Sequence, residues 1–152
     1  MYGSLREYID TLERHGELLR VGARVSPRFE IAEITDRMAK SEGGGKALLF
    51  ENTGTEFPVL TNMMGSDRRM ALALGAESLD DIARRSDSML GRALAPKGSL
   101  VDKLRMLPLL ADMSRWFPRG ASGRGACQQV VLQGDEADIG RLPLLRSWEH
   151  DG

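Results

Sequence analysis

Ala47-Leu48-Leu49-Phe50-Glu51-Asn52, followed by Pro58-Val59-Leu60-Thr61, is the stretch that decides how this chain folds. Each run is short and apolar. Asn52, Thr53 and Gly54 between them are turn formers, so the pattern predicts two neighbouring strands at the centre of a sheet. Just upstream lies a triplet, Gly43, Gly44 and Gly45. A phosphate-cradling loop should follow a strand and open a helix, so that amides and helix dipole converge on the anion. Here the order is reversed, because the triplet closes a helix and precedes the strand at Ala47. The glycines read as a helix stop.

Working back towards the amino terminus, Ser26 followed by Pro27 is a helix start, since proline at the first helical position lacks only an amide that has no partner there. Ile31, Ile34 and Met38 repeat on one face of that helix. Residues 17–25 carry Leu18, Leu19, Val21 and Val25 between turn formers and predict a strand bent at Gly22. Before it, Ser4 and Glu7 form a capping box, Leu5, Tyr8, Ile9 and Leu12 make an apolar stripe, and Gly16 supplies a left-handed stop. A helix over about 5–15 follows.

Downstream, Met70 to Leu74 predicts a short helix closed by Gly75. Ser78 with Asp81 caps another, which carries Leu79, Ile82, Ala83 and Leu90. Ser99 with Asp102 repeats the device, and the helical pattern from Leu100 to Trp116 should break or kink at Pro108. Leu109, Leu110, Met113, Trp116 and Phe117 are then an apolar core or subunit contact. At Pro118 the composition changes to a basic, glycine-rich stretch, Arg119, Gly120, Ala121, Ser122, Gly123, Arg124 and Gly125, with no apolar anchor. Beyond it, residues 127–132 read as a strand and residues 138–145 as a short segment broken by Pro143. The expected class is α+β, a small mixed sheet flanked by helices. The expected domains are an amino-terminal α/β domain over 1–117 and, over 118–152, a linker with an unfinished segment too short for its own core.

At 152 residues the chain can bury one core, roughly two-thirds of its unfolded surface. Apolar residues at 41% and charged ones at 28% exclude a disordered tail or a disulfide scaffold. A net charge of −1 and a pI near 6.1 give no field to attract nucleic acid or anionic lipid. No apolar run approaches the roughly 20 residues of a membrane span. A single cysteine, Cys127, cannot form an internal disulfide, and a soluble cytoplasmic protein is the expectation.

The chain carries few candidates for chemistry. Of the two histidines, His15 ends a helix and His150 lies beside Glu149 and Asp151. Adjacent residues point in different directions, so that trio is a poor metal set. Cys127, with Arg124 nearby, reads as a buried structural thiol rather than a nucleophile. Arg115, Arg119 and Arg124 could grip a phosphate or carboxylate, but a solvated linker is the plainer reading. Asp36 with Arg37, and Asp80 and Asp81 with Arg84 and Arg85, are charged helix faces. No catalytic, cofactor-binding or metal residue is assigned.

An ordered series nevertheless resembles the amino-terminal third of the UbiD family, the polyprenyl-hydroxybenzoate decarboxylases and related aromatic and acrylic acid decarboxylases. It runs through Leu5, Arg6, Leu12, Glu13, Gly16, Glu17 and Leu18, then Val25, Ser26 and Glu30, residues 47–52 and Pro58, Val59 and Leu60. Asn62, Gly65 and Arg69 follow. The most specific part is Gly125, Ala126, Cys127, Gln128, Gln129, Val130 and Val131, with Asp138, Ile139, Leu142, Pro143, Trp148, Asp151 and Gly152.

The resemblance implies a lyase that removes carbon dioxide from an unsaturated or aromatic acid with prenylated FMN, manganese and potassium. Polyprenyl-4-hydroxybenzoate of ubiquinone or menaquinone biosynthesis is the favoured substrate. The family's cofactor, metal and catalytic residues lie beyond the position matched by Gly152, so residues 118–152 would be the start of a β-rich flavin-binding domain. The fragment alone should then be inactive. Its partners would be the remaining domains of its polypeptide and further copies of itself, with peripheral membrane association left open. A binding or assembly module without catalysis is the alternative. A small flavin-binding protein is the least favoured, for want of a glycine-rich dinucleotide fingerprint.

Overall fold

The computed structural model describes residues 2–94, 104, 107–114, 117–118, 120 and 122–150. The expected Ser99–Asp102 cap, Arg115, Trp116, Arg119, Ala121, Asp151 and Gly152 lie outside the described residues. Two compact units are present, Met1–Ile82 with Asp138–Gly152, and Ala83–Ala137.

In the first unit, α1 (Leu5–Arg14) opens on Ser4, whose Oγ accepts from the Glu7 amide at 3.3 Å. The Glu7 carboxylate accepts from the Gly3 amide at 2.7 Å, one residue before the cap rather than on it. The helix ends in a Schellman motif. The Glu17 amide donates to Leu12 O (2.8 Å) and the Gly16 amide to Glu13 O (3.0 Å), with Gly16 at φ 70°.

The chain then forms β1 (Leu18–Arg24), crosses through α2 (Glu30–Ala39) and returns as β2 (Ala47–Asn52), parallel to β1. Leu18 pairs with Ala47 and Val21 with Phe50 before the register slips between Val21 and Arg24, around Gly22. β3 (Val59–Thr61) is antiparallel to β2. The order β1-β2-β3 makes β2 alone central and puts β3 at an edge, which corrects the expectation that both apolar runs share the centre.

The faces explain the unbroken apolar run in β2. Leu48 and Phe50 pack with Val25 and Ile31 of the α2 side, joined by Val21, Ile34, Met38 and Val59. Ala47 packs on the other face with Tyr8 and Leu12 of α1, joined by Leu18, Leu60 and Leu72. Over residues 47–50 the strand is covered and no polar side chain could reach water, whereas Glu51 and Asn52 at its end are exposed. Leu12, Ile31, Leu48 and Phe50 are fully enclosed.

A serine cap also opens α3 (Asp67–Ala73), where Ser66 Oγ accepts from the Arg69 amide at 3.2 Å. Gly75, at φ 64°, closes it with a second Schellman pair, its amide to Leu72 O and that of Ala76 to Ala71 O. Ser78 accepts from the Asp81 amide at 3.2 Å at the head of α4 (Leu79–Leu94), as expected.

The second unit holds α5 (Leu107–Ser114), with Pro108 in its first turn. Proline is tolerated in a first turn, where its missing amide costs no intrahelical bond; residues 105 and 106, just before it, lie outside the described residues. The strand expected over 127–132 is absent. Ala126–Gln128 is a 3₁₀ turn, and Val130, Val131 and Leu132 are exposed. A lone apolar run cannot satisfy its backbone as a strand without a neighbour, and none lies beside it among the described residues.

Candidate functional site

The most highly organised polar cluster surrounds Arg69, a fully buried arginine. Its position is set by α3, one turn beyond the Ser66 cap. Nε donates to Asn62 O (3.1 Å), Nη2 to Gly44 O (2.9 Å), and Nη1 to both Gly45 O and Glu17 Oε2, the latter at 3.0 Å. A buried guanidinium is tolerated only when paired and hydrogen-bonded, and these acceptors meet that condition. Glu17 also faces Arg68 Nε at 3.4 Å.

Asn62 occupies the left-handed region, at φ 52°, which Asn adopts more readily than most residues. From there its Nδ2 donates to Gly44 O (2.8 Å) and Lys46 O (2.9 Å). The loops approach too closely for side chains. A Cβ on Gly44 would sit 1.9 Å from Gly65 O, and one on Gly65 would sit 1.8 Å from Asn62 Oδ1. The Gly44 and Gly45 amides turn back to Ser41 O and Glu42 O, while their carbonyls face the cation. That polarity is the opposite of a phosphate cradle.

Tyr8 completes the cluster from α1, with its hydroxyl 2.9 Å from both Arg69 O and Met63 O. Burial, reinforced by the neighbouring Tyr2 and opposed by Arg69, raises its phenol above the usual tyrosine range. Glu17, Asn62, Gly65 and Arg69 are therefore brought to one point from the start of β1, the β3–α3 connection and α3. Sequence reasoning gave Arg69 no role; the available signal was an arginine facing inward on a helix whose other inward positions are Ala71 and Leu72. The cluster is a clamp between loops, with its donors engaged on the protein itself.

Open grooves lie in the same unit, one of about 670 Å³ beside Glu17, Gly45, Gly65 and Arg68 of the clamp, and two against the carboxy-terminal segment. Of those two, one, of about 670 Å³, is bounded by Arg24, Glu30, Thr53 and Leu142. The other, of about 780 Å³, runs between α2 and residues 145–148, with Phe29, Thr35, Thr61 and Trp148 on its walls. Thr35 and Thr61 hydroxyls meet there at 2.8 Å.

The sequence candidates do not converge. His15 caps α1, its Nδ1 2.8 Å from Thr11 O. Cys127 is exposed, which corrects the expectation of a buried thiol: the 3₁₀ turn that carries it, Ala126–Gln128, has no buried residue; Arg124 is exposed as well. Glu149 and His150 are exposed, and no three His, Cys, Asp or Glu side chains among the described residues form a metal set. Asp36 pairs with Lys40 and Arg37 with Glu33, each at 2.6 Å on the solvent face of α2, and the bond from Asp36 raises the Lys40 ammonium above its ordinary range. Arg20 bridges Glu13 and Glu51, and its hydrogen bond holds the Glu13 carboxyl below the usual glutamate range. Among the described residues, no helix is long and apolar enough to cross a membrane.

Comparison with known proteins gives the arrangement its context. The family described as 3-octaprenyl-4-hydroxybenzoate carboxy-lyase N-terminal domain matches residues 9–89. An uncharacterized protein of Aquifex aeolicus is 42% identical over 154 residues, covering 99% of this chain and 30% of that protein, so the chain spans under a third of this relative's length. The vanillic acid decarboxylase of Sedimentibacter hydroxybenzoicus in closed form is 31% identical with a TM-score of 0.54, over 63% of this chain and 21% of that one. An evolved dimeric form of the UbiD-class enzyme HmfF from Pelotomaculum thermopropionicum, in complex with prFMN, is 38% identical with a TM-score of 0.43, over 50% and 17%. The chain belongs to the UbiD family, through its 3-octaprenyl-4-hydroxybenzoate carboxy-lyase amino-terminal domain.

Proposed function

We propose that this chain is the amino-terminal scaffold of a prenylated-FMN-dependent decarboxylase that removes carbon dioxide from an aromatic or unsaturated acid. The family match over residues 9–89 carries this reading. The substrate is polyprenyl-4-hydroxybenzoate, the acid in the family's own description, and the setting is quinone biosynthesis in the cytoplasm. Manganese and potassium would accompany the flavin phosphate, and the intact enzyme would be a homo-oligomer.

The described residues do not fit the cofactor. Among them no metal set forms, and the buried cation, Arg69, is engaged by Glu17 and three backbone carbonyls. In this reading these side chains take no part in a chemical step. Their task is to hold two loops and three elements in fixed relation beside further polypeptide. The exposed apolar residues Ile139, Leu142, Leu144 and Trp148 favour such a neighbour.

The test is direct. Pure chain supplied with prenylated FMN, manganese, potassium and the acid should release no carbon dioxide, whereas the full-length protein under the same conditions should. Turnover by the pure chain, or none by the full-length protein, would overturn the proposal.

A second reading, an assembly module without catalysis, is favoured by one observation in the other unit. Leu107, Leu110 and Phe117 expose 57%, 50% and 71% of their surface. Under that reading Phe117→Ala lowers the sedimentation coefficient by dissociating the assembly, and unchanged sedimentation counts against it.

A further inference from the structure

Ser26 and Pro27 encode a helix start, yet α2 opens only at Glu30. What intervenes is the chain's carboxy-terminal segment. The Arg146 amide donates to Pro27 O (3.1 Å) and the Phe29 amide to Arg146 O (2.8 Å), which makes a parallel bridge between Arg28 and Arg146. The Glu30 amide is drawn to Arg28 O (2.9 Å) across Phe29, at φ 70° and ψ −40°. That is close to a γ-turn, a strained conformation rarely adopted by a residue with a side chain. Both guanidinium groups lie over the Phe29 ring, Arg28 at 5.6 Å and Arg146 at 5.4 Å from its centroid. Arg146 Nε is enclosed without an acceptor.

The neighbouring hydrogen bonds show a helical turn held one residue out of register. With Ser26 as cap, the Glu30 amide would donate to Ser26 O and the Ile31 amide to Pro27 O. Instead the Ile31 amide donates to Ser26 O (3.2 Å), and Pro27 O is taken by Arg146. The Glu30 carboxylate already accepts from the Ser26 amide at 2.7 Å. A small, defined exchange of partners therefore separates two arrangements. Local sequence favours one and the tertiary contact imposes the other.

We propose that residues 27–29 are a two-state element. They form the strained turn while residues 142–149 are docked, and the first turn of α2 when that segment leaves. Since Leu145, Ser147 and Trp148 are one wall of the 780 Å³ groove and α2 the other, undocking opens the groove and lengthens α2 together. The carboxy-terminal segment acts as a strap whose position is registered in the length of a helix.

The experiment uses the 152-residue chain and backbone NMR with amide exchange. Arg146→Pro removes the amide that occupies Pro27 O. The ¹³Cα resonances of Arg28 and Phe29 should move to helical values, and the Phe29 amide should lose protection while that of Ile31 keeps it. Phe29→Gly and Phe29→Ala both lose the stacked ring, but only glycine adopts the positive φ without strain and weakens the helix, so the Arg146 amide should be better protected in Phe29→Gly than in Phe29→Ala. Arg28 and Phe29 resonances that stay in place or move to coil values in Arg146→Pro would overturn the proposal. So would Arg146 protection in Phe29→Gly no greater than in Phe29→Ala, a pair that also decides the matter if Arg146→Pro fails to fold.

Discussion

Replacing Arg69 by methionine is the severest test of the clamp, because it keeps most of the side-chain volume while removing four donated hydrogen bonds and the charge. Not every acceptor is orphaned. Gly44 O keeps Asn62 Nδ2, and Asn62 O keeps the Gly65 amide at 3.2 Å. Gly45 O loses its cationic donor, and the mostly buried Glu17 carboxylate is left with Arg68 at 3.4 Å, whose side chain is 62% exposed. Removing one member of a buried pair costs about 3–5 kcal/mol, and the partial rescue by Arg68 places this case near about 3 kcal/mol. With a urea slope of about 1.5 kcal/mol per molar, the midpoint should fall by roughly 2 M. Far-UV circular dichroism through a urea titration reads this. The double variant Glu17→Gln/Arg69→Met should be less destabilised than the sum of the singles by about 1–2 kcal/mol, since neither then strands the other. A midpoint shift below about 0.5 M for Arg69→Met, or strict additivity in the cycle, would refute the reasoning.

Three further outcomes follow from the same geometry. Gly44→Ala, whose Cβ would lie 1.9 Å from Gly65 O at φ 80°, should cost about 2–4 kcal/mol. Gly16→Ala, at φ 70° in open space, should cost only about 1 kcal/mol, and equal urea midpoints for the two would exclude the close-approach argument. Tyr8 has a folded pKa raised above its unfolded value, so its contribution is complete below about pH 10 and is lost as pH rises through the folded pKa. Melting temperatures between pH 9 and 11 should therefore fall more steeply for the native chain than for Tyr8→Phe, and parallel slopes would contradict this. Leu48→Ala should cost about 2–5 kcal/mol, while Leu19→Ala, at 44% exposure on the edge strand, should stay within about 1 kcal/mol by the same titration.

How much of this was legible beforehand depends on the range of the interaction. Ser4 and Ser78 as caps and Gly16 and Gly75 as stops were readable because capping is decided within four or five residues of chain; the Ser66 cap, which starts α3 at Asp67 rather than at Met70, was not read. The apolar runs of β1, β2 and β3 were readable for the same reason, and so was the mixed sheet with its flanking helices. The order of those strands was not. That β2 lies between the other two depends on pairing across residues 25–46, which no local pattern contains. Family membership was also written in the sequence, in the ordered series from Leu5 to Trp148.

The clamp and the strap belong to tertiary structure alone. Arg69 looks like any helix arginine until Glu17, the Gly44–Gly45 carbonyls and Asn62, separated from it by as many as 52 residues, close around it. Ser26 and Pro27 direct a helix that Arg146 prevents, because two long-range backbone bonds and the stacked guanidinium outweigh a local preference. The strand foreseen at 127–132 failed for the converse reason, the lack of any partner strand among the described residues. Caps, stops and apolar periods are short-range properties that the chain carries wherever it goes. Burial of a charge, strand order and strain at Phe29 exist only once distant segments meet, so only the folded molecule could decide them.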